Sequence, residues 1–199
     1  MARWKPDPTF YPSPRLAMQG RPESLAYVAT LNTNKDARPD AMTIVDVNPE
    51  SPAYGKMVGR VNMPNAGDEL HHFGWNACSS ALCPYAPHPH IERRYLVVPG
   101  LRSSRIHILD TKPDPREPKI VKIIEPEEVM KRARYSRPHT VHCGPEGIYM
   151  SALGSQEGSG PGGVFLLDCE SFDVLGQWEV DRGHNTWPMT SGGISVTTR

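Results

Sequence analysis

An excess of charge of one sign is missing from this chain: 22 lysines and arginines meet 22 aspartates and glutamates. No global attraction to nucleic acid or to an anionic membrane surface follows, so neither is expected as a partner. Long apolar runs are missing too. No stretch reaches the roughly 18 apolar residues that a membrane-spanning helix needs. The opening MARWKPDPTFYPSP has no apolar core and is broken by prolines, which excludes a secretory signal. A cytoplasmic location is the expectation, with a periplasmic parent left open through an alternative start. Cysteine is scarce: Cys78, Cys83, Cys143 and Cys169 are too few for a disulfide scaffold in 199 residues, and reduced thiols are expected. GxSxG, HExxH and EF-hand patterns are absent. The glycine-rich GSQEGSGPGG lies between strand-like segments and opens no helix, so it reads as a hairpin loop and not a phosphate cradle. RSSR (102–105) is either an anion contact or a solvated turn.

What the chain does have is turn residues and short strands. Proline at 21 and glycine at 17 favour many turns over long helices. Residues 1–24 read as an extended, proline-rich arm. Strand-like segments follow at 24–31, 41–47, 55–63, 94–100, 105–111, 119–125, 147–153, 163–169 and 174–180, rich in β-branched or aromatic residues and bounded by Gly, Pro, Asn or Asp. Only EPEEVMKRARY (125–135) reads as helix, with an early proline, acids in its first turn and bases later.

Three of these segments share one grammar. TIVDVNPESPAYGKMVGRV, RIHILDTKPDPREPKIVKII and GVFLLDCESFDVLGQWEV each run a strand to an aspartate, turn, and run a second strand back. The aspartate can accept backbone N–H groups of its turn. Asp46 and Asp110 are 64 residues apart, Asp110 and Asp168 are 58 apart. Hairpin repeats of this kind read as β-propeller blades, somewhat longer than the common repeats of roughly 40–50 residues. An ordinary antiparallel meander is the alternative.

Two histidine clusters occupy similar places in this repeat. His71 and His72 follow Asp46 by 25 and 26 residues; His139 and His142 follow Asp110 by 29 and 32. Imidazoles recurring at one point of a repeat can converge on an axis and hold a metal. Adjacent His71 and His72 would face opposite ways on a regular strand, so both can bind one ion only if the backbone is irregular there. Asp68 and Glu69 could orient an imidazole, and Trp75 and Asn76 could wall a pocket. His139 and His142 diverge on an extended chain and converge in a turn. The bland reading of His71 and His72 is buried histidine hydrogen-bonded to backbone, followed by a packed Trp75. Cys143 reads as a small buried residue. Cys78, Cys83, His88 and His90 could be counted as four ligands but lack either paired spacing of a zinc site. His107 reads as a strand-face residue.

DELHHFGWNACSS, LRSSRIHILD, the IIEP step, HTVHC and GGVFLLDCESFDVLGQWE together closely resemble the selenium-binding protein family, which includes methanethiol oxidases. The likeness runs from about residue 11 to about residue 182. It implies an all-β propeller and oxidation of a small thiol, methanethiol, by O2 and water to formaldehyde, hydrogen sulfide and hydrogen peroxide. It implies copper as cofactor, with selenium as a further ligand. Carried over by position, His71, His72, His139 and His142 match the family's histidines, and Cys78 matches a family cysteine. Two departures stand out. Gly55 occupies the place after the SPxY turn where animal members carry a cysteine linked to selenium. Cys78-Ser79-Ser80-Ala81 replaces the CSSC of those members.

The resemblance also implies a chain more than twice as long, so an N-terminal fragment of about three blades is expected: a partial propeller over 25–183 and a tail over 184–199 without family likeness. One allowed codon string for that tail, read in a shifted frame, gives QHLAYDFWWHLGHDT, close to the family's continuation. A frameshift product is therefore expected from about His184 onward, and an incomplete ring of ligands with it. A non-catalytic selenium or thiol carrier and an inactive fragment are the alternatives to the oxidase. The oligomeric state stays open.

Overall fold

The computed structural model describes residues 7–33, 38–77 and 88–181. Cys78, Cys83, the CSSA stretch and the 184–199 tail lie outside the described residues. Chain order gives α1 (Pro14–Ala17), β1 (Leu25–Thr30), β2 (Pro39–Asp46), β3 (Met57–Ala66), β4 (Gly74–Trp75), β5 (Tyr95–Pro99), β6 (Ile106–Asp110), β7 (Lys119–Ile124), α2 (Pro126–Ala133), β8 (Tyr135–Gly144), β9 (Gly147–Ser155), β10 (Val164–Leu167) and β11 (Val174–Gln177). The strands form three antiparallel meanders, β1-β2-β3, β4-β5-β6-β7 and β8-β9-β10-β11. The fold is all-β, three propeller-type blades in series.

Strand alternation explains why the blades stack. Along β5 and β6, Val97, Ile106 and Ile108 point into one core together with Val141, Ile148, Met150 and Phe165 of the third blade. Leu96, Val98 and Leu109 point the other way, into a second core with Met42 and Met63 of the first blade. Successive side chains leave a strand on opposite faces, so a central sheet buried on both sides needs apolar residues at every step. YLVVP and IHILD supply them at all but two steps of β6: His107, buried against Asp68, and Asp110, which ends the strand.

The aspartate grammar is present as expected. Asp46 accepts the Asn48 N–H and the Ser51 hydroxyl, both at 2.9 Å. Asp110 accepts Lys112 N–H at 3.0 Å. Asp168 accepts the N–H groups of Glu170 and Ser171 at 2.9 and 2.8 Å, and these bonds hold its carboxyl below the usual carboxylate pKa. Gly55, in the first of these turns, has φ +73°, donates its N–H to Asp46 O at 2.8 Å, and stands where an L side chain would be strained.

Three sequence expectations need correction. The arm is not wholly extended: Ser13 caps the single-turn helix α1, accepting Leu16 N–H. PRLA is too short to show a helical period. The 125–135 helix reading ran one residue into a ten-residue strand, β8, which carries the HTVHC segment left open between extended chain and turn. The helix ends at Ala133 because Arg134 turns left-handed, φ 57°, and its N–H closes on Met130 O. Among the described residues, Cys143 is half-buried and Cys169 is buried. Among the described residues no helix is long and apolar enough to cross a membrane.

Candidate metal centre

The two histidine segments meet where the second and third blades touch. Asp68–His71 runs beside the end of β5: His71 N–H donates to Pro99 O at 3.0 Å, and Leu70 bridges Gly100. Glu69 has a left-handed backbone, φ 54°, and His71 to Phe73 belong to no strand. That irregularity frees both imidazoles from the strict alternation that would part them. In β8 the register shifts between Pro138 and Val141, and a bulge of this kind re-aims side chains. His139 turns toward the first pair. Val141 N–H then donates to His72 O at 3.1 Å, linking the segments directly. Gly74 permits the approach, since a Cβ there would sit 3.0 Å from Val141 O.

His71, His72 and His139 each offer a ring nitrogen, and these three atoms lie within 4.8 Å of one another. Ring centroids are 4.4 Å apart for His72 and His139, 4.8 Å for His71 and His139, and 5.6 Å for His71 and His72. The Nδ1 atoms of His72 and His139 stand 3.3 Å apart. Two nitrogens held at roughly 2.0–2.1 Å by one ion at a tetrahedral angle would be separated by about the same distance. The donor set therefore fits an imidazole-bound ion, and three imidazoles suit copper or zinc. Burial, and then the neighbouring His72 and His71, push the His139 pKa below its ordinary 6.5, so its ring stays neutral and able to ligate near pH 7.

The surroundings are polar. Glu69 Oε1 lies 3.4 Å from His71 Nε2, and its other oxygen pairs with Arg102. Thr140 Oγ1 is 2.9 Å from His139 Nδ1 and 3.4 Å from His72 Nδ1. The sequence reading overlooked Thr140; its signal was a hydroxyl set between the paired histidines of HTVH.

Other candidates go elsewhere. His142 is exposed, with its Nδ1 2.6 Å from Cys143 O, and is not among the converging three. Asp68 does not reach an imidazole of the cluster; it faces the buried His107, which is indeed on a strand face, and Arg105. Trp75 packs edge-on against Tyr27 and carries Arg93 over its ring, so it serves the core between the first two blades. Asn76 is a buried clamp: Oδ1 accepts the N–H groups of Arg94 and Tyr95, and Nδ2 donates to Glu92 O. His88 Nε2 lies 3.2 Å from Pro145 O, and its ring is 5.9 Å from that of His90.

Residues 4–190 match the family model described as 56kDa selenium binding protein (SBP56). The chain belongs to the selenium-binding protein family. It is 41% identical over 196 residues to a methanethiol oxidase of Bos taurus, covering 94% of this chain and 40% of that protein. It is 43% identical over 195 residues to selenium-binding protein 3 of Arabidopsis thaliana, with the same two coverages. A solved structure, a hypothetical selenium-binding protein from Sulfolobus tokodaii, superposes with TM-score 0.84 at 63% identity, over 91% of this chain and 40% of that one. The chain thus spans about 40% of the length of these family members.

Proposed function

We propose that His71, His72 and His139 hold a copper ion and that the protein oxidises methanethiol. The observation carrying this reading is the convergence of three ring nitrogens, from two successive blades, within 4.8 Å. The reaction balances as methanethiol, O2 and water giving formaldehyde, hydrogen sulfide and hydrogen peroxide: the carbon is oxidised, the C–S bond breaks, and O2 takes two electrons and two protons. Bound copper would supply a Lewis acid that favours thiolate and a path for electrons to O2. This chain's residues do the holding. His139, kept neutral by burial, presents a lone pair at neutral pH. Glu69 steadies the His71 ring, and a carboxylate behind a ligating imidazole fixes its orientation and raises its basicity. The His72 carbonyl, tied to Val141, keeps the two ligand segments together.

Metal content is the test. Copper near one equivalent per chain, lost in His139→Ala, with formaldehyde and hydrogen sulfide formed from methanethiol, supports the oxidase. A metal-free protein that retains selenite through cysteine supports a selenium or thiol carrier.

A further inference from the structure

The turn between β5 and β6 touches both segments that carry the imidazoles. On one side, Leu101 N–H donates to Glu69 O at 2.9 Å and Arg102 N–H to Asp68 O at 3.0 Å. The residues two and three before His71 therefore hang on the backbone of this turn. On the other side, the Ser104 hydroxyl accepts the N–H of Arg137 at 2.8 Å, two residues before His139. No anion contact is needed to account for RSSR: its backbone and the Ser104 hydroxyl bridge the two halves of the imidazole cluster. Ser103 Oγ is used within the turn, accepting Arg105 N–H at 3.2 Å.

The turn is firmly footed. Ser104 is buried, and its own N–H closes on Gly100 O at 2.9 Å. Beneath it Asp68 and His107 are wholly buried, with Asp68 Oδ2 3.5 Å from His107 Nε2 and Asp68 Oδ1 3.6 Å from Arg105 Nη1. Arg105 continues to Glu125 at 3.0 Å. A buried carboxylate is costly unless opposite charge faces it; here Arg105 supplies that charge without a direct hydrogen bond, next to the start of β6.

Ser104 also carries a backbone cost. Its φ is +61°, a conformation that glycine adopts freely and serine does not. A glycine would suit the turn alone. The serine adds an oxygen that reaches across to the strand bearing His139.

We propose that Ser104 is a positioning residue for the imidazole cluster: its hydroxyl, through Arg137, sets the separation between the His71–His72 segment and His139. The metal arm of this proposal rests on the copper reading above; the geometric arm does not. Ser104→Gly separates positioning from stability, because it removes the hydroxyl while relieving the left-handed backbone.

In the full chain, Ser104→Gly is expected to leave the thermal midpoint unchanged or raised. Copper binding should weaken by about tenfold or more, in the range seen when groups that orient metal ligands are removed. The Cu(II) electron paramagnetic resonance spectrum should change with it. In metal-free protein the imidazole nitrogen resonances of His72 and His139, which stand 3.3 Å apart in the parent, should move away from parent values. Ser104→Ala, which keeps the backbone cost and loses the same hydroxyl, should show the same copper and resonance changes with a lower midpoint. Parent-like ring resonances in either folded variant overturn the proposal, as does parent-like copper affinity and spectrum where the parent binds copper. A parent that takes up no copper defeats the copper reading alone, and the ring resonances still decide the role of Ser104.

Discussion

Val141 gives its backbone N–H to the carbonyl of His72, 3.1 Å away, so the strand bearing one histidine is bonded to the segment bearing the other. The bond needs the two backbones close together, and Gly74 is what lets them approach. Gly74→Ala would place a methyl group 3.0 Å from Val141 O and 3.1 Å from its Cβ. Overpacking of this kind costs about 1–3 kcal/mol. Urea unfolding should show that loss, and copper titration should show weaker binding in the same variant.

The four histidines of the two clusters should separate into three and one. His71→Ala, His72→Ala and His139→Ala are each expected to abolish tight copper binding, measured as metal per chain after desalting. His142→Ala should retain the parent stoichiometry, because its ring faces Cys143 O and not the other three. Equal losses from all four would place the ligands differently.

Copper retention should extend into mild acid. The His139 pKa lies below the ordinary 6.5 because its charged form is desolvated and repelled by His72 and His71. A depressed histidine pKa means the neutral, ligating form persists as pH falls past 6.5 and is lost only through the lower value. Metal content followed between pH 7 and 5 should therefore fall with a midpoint below 6.5. A midpoint at or above 6.5 would contradict this.

Acid should act on the middle blade through Asp110. Arg94 binds its carboxylate by two N–H groups, at 2.7 and 2.5 Å, and the pKa is held below the ordinary 3.8, with the arginine as the largest cause. The folded carboxyl is more acidic than the unfolded one, so its contribution is whole above about pH 4 and disappears as pH falls through the folded value. Asp110→Asn should cost about 1–3 kcal/mol at pH 7, and the variant should lose less further stability than the parent between pH 4 and pH 2.5. Parallel urea unfolding curves at both pH values measure this.

Much of this arrangement was legible in the sequence because it repeats. Three aspartates at strand ends, each accepting bonds from its own turn, announced three hairpins and with them the blades. The apolar runs of β5 and β6 were legible as strands; that their sheet is covered on both faces emerges only from the packing. The geometry of the imidazole cluster was less legible. His71 and His72 look incompatible on one ion until Glu69 is seen to turn left-handed, and nothing in DELHH spells out that turn. β8 was missed because Pro138 and the bulge after it blur the period of two, and β4 because two residues carry no period at all. The role of Ser104 was hidden for a different reason: its partner Arg137 is 33 residues away, and a contact at that separation leaves no local mark.

The two-sided burial of β5 has a consequence for how the protein comes apart. Val97 belongs to the core shared with the third blade and Val98 to the core shared with the first. Melting the middle blade alone would strip cover from both neighbours at once. The three blades are thus thermodynamically linked through one strand, and their described cores should be lost in a single concerted transition. Neighbouring valines, one peptide bond apart, would report on that event from opposite sides.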